Sequence, residues 1–168
     1  MSKSYYSLGL MSGTSGDGVD ASIIKSDGST KYEVILDKYY KYTDEIQKEY
    51  TLLSNGIKDE VDYERYFSQW ENSLLTLEIK ITLFHIDLVN EIIKNSKINI
   101  DLIGFHGQTI WHRPESGSSR QLGNGKLLSK STKTNVIYDF RANDLKNRGQ
   151  GAPLAPIFHK LLIEQNKL

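Results

Sequence analysis

The chain has 168 residues with 21 basic and 21 acidic side chains, so no net field draws it to nucleic acid or acidic lipid. It has no cysteine, which excludes disulfides and thiolate metal sites and fits a reducing compartment. No apolar run approaches the roughly 20 residues that cross a bilayer, and residues 1–6 do not read as a secretory signal; the expectation is a soluble, cytoplasmic α/β protein of one domain.

Residues 5–11 read as a short strand that runs into a loop of small and polar residues. Val19, Ala21 and Ile23 alternate with Asp20 and Ser22, a period of two that predicts a second strand over 19–24. Asp27-Gly28 is a turn signal, and 32–42 is a third strand with Tyr32, Val34 and Leu36 expected on one face. Three strands joined by short loops make an antiparallel meander. Thr43 can cap a short helix, with Asp44 and Glu45 in its first turn. Tyr63, Phe67, Trp70, Leu74, Leu77, Ile81, Phe84, Leu88 and Ile92 recur at steps of three or four and predict a long helix over 60–95, its stripe turned to the core. Leu77, Ile79, Ile81 and Leu83 also alternate, which leaves a strand as the minor alternative there. Residues 100–105 read as a buried strand, followed by a looser region through Gly125. A short helix over 126–131, a strand over 135–140 and a last helix over 154–165, with Pro153 near its start, complete the pattern.

Three polar clusters fall at expected strand ends, where a sheet fixes loop residues in place. The first is 12–20. Gly13, Gly16 and Gly18 leave backbone amides uncovered, and Ser12, Thr14 and Ser15 add hydroxyl donors, a composition suited to wrapping an anion. No Gly-Lys-Ser/Thr follows, and a strand stands where a dinucleotide fingerprint needs a helix. A strand–loop–strand phosphate cradle remains, with Asp17 and Asp20 available to a metal or a substrate hydroxyl; a flexible hairpin is the competing reading. The second cluster, 106–111, contains His106, for which a strand-end hydrogen bond is the plain alternative to a ligand role. None of the four histidines forms a His-Glu-x-x-His pattern, so zinc is not expected; His85 is expected to pack or to face solvent, and His159 to be structural. In the third, Asp139, Arg141 and Asp144 form either an intraloop ion pair or an arginine clamp for a carboxylate or phosphate, and "GQGAP" allows close backbone approach.

"GLMSGTSGDGVD", "IGFHGQTIWHRPE", "QLGN" and "DFRANDLKNRGQGAPLAPIFH" resemble, in order and spacing from about Tyr6 to His159, the signature blocks of anhydro-N-acetylmuramic acid kinases. The resemblance implies an RNase H-like domain of the sugar kinase, heat-shock chaperone and actin superfamily, with a mixed sheet and flanking helices. It implies ATP phosphates on Gly13, Thr14, Ser15, Gly16, Asp17, Gly18, Val19 and Asp20, with magnesium reached through Asp17. It assigns His106, Gly107, Gln108 and Thr109 to a sugar pocket, and Asp139, Arg141, Asp144, Gly149, Gln150 and Gly151 to the cleft around it. The implied reaction opens the 1,6-anhydro bridge and phosphorylates O6, in cell-wall recycling. Members of the family are roughly twice this length, as two-domain proteins of this size are. The resemblance puts their catalytic aspartate in a later "GFDTGPGN" motif, at a position beyond Leu168, so no catalytic residue is assigned within these 168 residues. The expectation is an N-terminal domain, from a truncated or split enzyme, inactive alone. A separate C-terminal chain or a second copy is the expected partner. The rivals are a phosphate- or sugar-binding module without turnover and a folded remnant; continuation of the reading frame into that motif separates them. Two departures stand out: Gly16 occupies a usual leucine position and is expected to loosen the loop, and Arg148 replaces a usual glycine.

Overall fold

A computed structural model of the chain describes residues 3–58 and 63–166. The meander forms as expected: β1 (Tyr5–Ser12), β2 (Gly18–Ser26) and β3 (Tyr32–Lys41) pair antiparallel in sequence. Two helices follow, α1 (Asp44–Lys58) and α2 (Tyr63–Ser96). The chain returns through β4 (Leu102–Arg113), which runs parallel to β1. After it come β5 (Ser118–Leu122), α3 (Gly125–Thr132), β6 (Asn135–Ile137), α4 (Ala142–Lys146) and α5 (Pro156–Asn166). The sheet order is β3-β2-β1-β4-β5, with β6 also on β4. None of the described helices is long and apolar enough to cross a membrane.

One face of the sheet carries the core. Leu8, Val19, Ala21, Ile23, Ile103 and Phe105 are buried there, in one cluster with Leu74, Leu77, Ile81, Val89 and Ile92 of α2. The helical stripe is therefore a packing stripe, although Trp70 stays 38% exposed. Lys97 ends α2 with φ at 56° and its amide on the Ile93 carbonyl, a left-handed cap. The expected start of that helix at Glu60 lies outside the described residues. So does Leu168, the position beyond which the resemblance puts the catalytic aspartate. His85 resolves to packing, fully buried with Nδ1 on the Ile81 carbonyl oxygen at 2.8 Å, whereas His159 is exposed.

Several expectations are corrected. The helix after Thr43 is 15 residues long, not short; the Thr43 hydroxyl does cap it, accepting from the Ile46 amide. The faces of β3 are not uniform. Ile23 faces Leu36 while Ile24 faces Val34, so Ile35 is an extra residue and the bulge sends Val34 to the open face and Leu36 to the core. The strand expected over 100–105 does not stop before His106 but continues to Arg113. Gly107, with φ at 71°, lets the strand jog without breaking; a Cβ there would meet the Leu122 carbonyl oxygen at 2.7 Å. The looser region holds β5, whose polar Ser118, Ser119, Arg120 and Gln121 hid its pairing with β4. β6 is only three residues, and α4 occupies a stretch expected to be loop.

One edge of β4 is shared. β6 takes its first part, from Leu102 to Gly104, and β5 takes its second, from Gln108 to Arg113. On the face opposite the core, α5 is tied across the sheet by Gln165, which accepts from the Tyr32 amide and donates to the Tyr32 carbonyl. Phe158 meets the Tyr32 ring edge-on, 5.2 Å between centroids.

Candidate functional site

The loop between β1 and β2 is closed by a tight turn, the Gly16 amide donating to the Gly13 carbonyl oxygen at 3.1 Å. Thr14, Ser15, Asp17 and Asp20 are exposed, Gly13 is half-buried, and Gly16 and Gly18 are covered. Val19 is fully buried in the core and has only its backbone to offer. Gly18 has no room for a side chain, since a Cβ would lie 2.4 Å from the Tyr40 carbonyl oxygen. The Asp17 carboxylate accepts from the Ser15 hydroxyl, and its carbonyl accepts from the Tyr42 amide at 2.9 Å. Ser15, the Asp17 amide and Tyr39 together hold that carboxyl below the usual carboxylate range.

At Gly16, where loosening is expected, the loop is packed against an aromatic ring. Gly16 adopts φ of 64°, and the Tyr50 ring fills the place its side chain would take. Tyr50, Tyr39 and Tyr42 were not among the candidate residues. Tyr50 lies on α1, Tyr39 near the end of β3 and Tyr42 just past it, and only the fold brings them to the loop.

The second cluster divides. His106 alone puts its side chain on the open face; Gln108 is fully buried and donates from Nε2 to the Gly13 carbonyl oxygen at 2.8 Å. Thr109 is also buried, its hydroxyl accepting from Gln121, so Gln108 and Thr109 brace the loop and sheet from behind in this arrangement. His106 Nδ1 lies 2.8 Å from the Gly107 carbonyl oxygen, and its Nε2 faces Arg141 Nη2 at 3.0 Å. Both contacts are satisfied only by the neutral ring with its proton on Nδ1. Burial, with Arg141 adding to it, holds the His106 pKa below its ordinary value.

In the third cluster no ion pair forms among Asp139, Arg141 and Asp144. Arg141 instead joins His106 to the Gly151 carbonyl oxygen, the latter at 2.9 Å. Asp144 accepts from the Gly151 amide at 2.6 Å, and its backbone carbonyl accepts from the Gly149 amide at 2.8 Å. Asp139 takes φ of 57° and turns the chain into α4, while Gln150 is exposed. Hydrogen bonds thus join the clusters: loop to β4 through Gln108, and β4 to the glycine segment through Arg141. A cavity of about 620 Å³ opens beside them, with Met11, Asp20, His106, Phe140, Leu154 and Phe158 in its wall. The "QLGN" block has a structural role: the Gly123 amide donates to Glu78, the Asn124 amide donates to Thr82, and the Asn124 side chain caps α3.

Among the described residues no group of three or more carboxylates and histidines could hold a metal ion. Asp17 offers one carboxylate, which fits magnesium, a cation that takes one or two carboxylates and completes its shell with phosphates and water.

The chain is an α/β protein with a mixed sheet, with a small-residue loop after its first strand and an open cavity beside Met11 and His106. Residues 5–168 match the anhydro-N-acetylmuramic acid kinase family, and the chain belongs to it. It is 54% identical over 168 residues to the anhydro-N-acetylmuramic acid kinase of Pelagibacter ubique, covering all of this chain and 44% of that protein. The kinase of the same name from Gluconobacter oxydans is 37% identical over 161 residues, 95% of this chain and 43% of its own length. That from Rhodopseudomonas palustris is 36% identical over 160 residues, 94% and 42% respectively. The chain thus spans under half the length of these curated relatives.

Proposed function

We propose that the chain is the N-terminal, RNase H-like domain of an ATP-dependent anhydro-N-acetylmuramic acid kinase, working in the cytoplasm where ATP is supplied. Water adds to the anomeric carbon, the bond from that carbon to the bridging O6 breaks, and O6 takes the γ-phosphoryl group. The products are ADP and N-acetylmuramic acid 6-phosphate. In this reading the loop from Gly13 to Asp20 binds the nucleotide phosphates, and His106, held by Arg141, lines the sugar side of the cavity. Gly149 and Gly151 keep the backbone close to that side. The aspartate that activates the water belongs to the part of the enzyme beyond Leu168. Asp17 would hold magnesium together with the nucleotide phosphates, and the cation would supply charge neutralisation for phosphoryl transfer.

The observation that carries the reading is the coupling of the loop to His106 through β4, with Gln108 on the Gly13 carbonyl two residues from the cavity histidine. In this reading the coupling holds the phosphate donor and the sugar in one frame, and positioning is a large part of phosphoryl-transfer catalysis. A chimera tests it: this chain replaces the matching 44% of the Pelagibacter kinase. The expected result is ATP-dependent formation of the 6-phosphate from the anhydro sugar. A folded chimera that binds ATP and anhydro sugar without turnover supports a binding module instead.

A further inference from the structure

Tyr50 sits within α1, 36 residues beyond Thr14, yet the residue is 4% exposed and its ring packs against the loop. A Cβ on Gly16 would fall 2.1 Å from that ring, so glycine at 16 and tyrosine at 50 occupy one space between them. The phenolic oxygen lies 3.0 Å from the carbonyl oxygens of both Thr14 and Thr109, its single proton shared between the loop and β4. Burial raises the Tyr50 pKa, which keeps that proton in place. Beside it, Gln108 Nε2 holds the Gly13 carbonyl.

Two consecutive loop carbonyls are therefore drawn inward by buried donors. In a planar trans peptide the C=O of one residue and the N–H of the next point in opposite directions. Carbonyls of Gly13 and Thr14 held inward leave the amides of Thr14 and Ser15 directed outward. Both residues are exposed, and among the described residues no acceptor meets either amide.

We propose that Tyr50 is a positioning residue for the phosphate loop: by filling the space over Gly16 and holding the Thr14 carbonyl, it aims the Thr14 and Ser15 amides at an oligophosphate. The proposal rests on the phosphate-cradle reading of the loop. It also accounts for the glycine at 16 as one half of a pair with Tyr50.

The test uses the purified chain, magnesium tripolyphosphate as a probe without a nucleoside, and amide spectra of Thr14 and Ser15. In the unchanged chain these two amides shift on titration. Tyr50→Phe keeps the ring and removes the hydroxyl. It is expected to weaken tripolyphosphate binding about tenfold, the upper range for one neutral hydrogen bond. It should also change the residual dipolar couplings of the two amides before any phosphate is added, with couplings elsewhere in the sheet unchanged. Gly16→Ala, which pushes the ring away while keeping Tyr50, should give the same two effects. Wild-type affinity and unchanged couplings in both variants would overturn the proposal. If the unchanged chain does not bind tripolyphosphate, the phosphate reading fails. The couplings alone then decide: altered in the variants, Tyr50 sets the amide directions; unaltered, it does not.

Discussion

Arg141 donates to Nε2 of His106 at 3.0 Å, a cation bonded to the unprotonated nitrogen of a neutral ring. The contact exists only while that nitrogen carries no proton, so acid opens the link between β4 and the glycine segment. His85 has the same requirement for a different reason: it is fully buried among Tyr42, Phe84 and Phe105, and burial lowers its pKa to about 4.

The pH dependence of stability has a definite sign. Both histidines bind protons more readily unfolded than folded, so stability is full above the unfolded value near 6.5 and falls as pH drops below it. For His85 the loss continues to about pH 4 and amounts to about 3 kcal/mol. Carboxylates with depressed pKa, such as Glu71 beside Arg120, act at lower pH, below the ordinary carboxylate value. Chemical denaturation at pH 7.5 and 5.0 should show the drop, and His85→Leu should flatten it; an equal slope in that variant assigns the drop to other groups.

Asp17→Asn should reduce affinity for magnesium-ATP well before it reduces stability. The carboxylate is exposed and bonded to the Ser15 hydroxyl, so its removal leaves the core untouched. Calorimetric titration against melting temperature separates the effects; unchanged affinity with a lowered melting point makes Asp17 a structural residue of the loop.

Arg148→Gly should stabilise the chain by about 1 kcal/mol, the cost a side chain incurs in left-handed backbone. Arg148 has φ of 64° and is exposed, while its amide bond to the Leu145 carbonyl survives the change. Urea unfolding reads the difference directly, and a destabilised variant would mean that the guanidinium makes compensating contacts.

Gly107→Ala should do the opposite, costing about 2 kcal/mol or more from left-handed strain plus overpacking. The obstacle is backbone, the Leu122 carbonyl oxygen at 2.7 Å, which cannot step aside as a side chain can. Unfolding by urea, with the His106 ring signals followed in parallel, should show lost stability together with a displaced histidine.

The meander, the long helix and the loop could be read from the chain because each rests on local periodicity or composition. Val19, Ala21 and Ile23 alternate, and the stripe through Leu74, Leu77 and Ile81 is helical, whatever the rest of the fold does. The misses share a cause in pairing at a distance. Leu36 and Val34 part company because of a bulge that only the register with β2 defines. Ser118 to Leu122 becomes a strand because β4 runs past Gly107 to receive it. The loop residues were found by composition, but Tyr50 and Gln108 behind them were not assigned to the loop. Nothing local marks a buried tyrosine on one helix as the partner of a glycine 34 positions earlier.

The shared edge of β4 leaves a fork. Ile137 is the last partner on one tine, opposite Gly104, and Leu122 the first on the other, opposite Gln108. Phe105, His106 and Gly107 lie between the two tines, paired in the ladder of neither. Beside that fork Arg141 reaches the ring of His106 from a segment outside the sheet. Open sheets bind ligands where strand connectivity diverges. Here divergence on a single strand has a second effect: the histidine's place is set jointly by β5 and β6. A shift of either tine tilts it, as moving either arm of a forked branch turns whatever is lodged at the join.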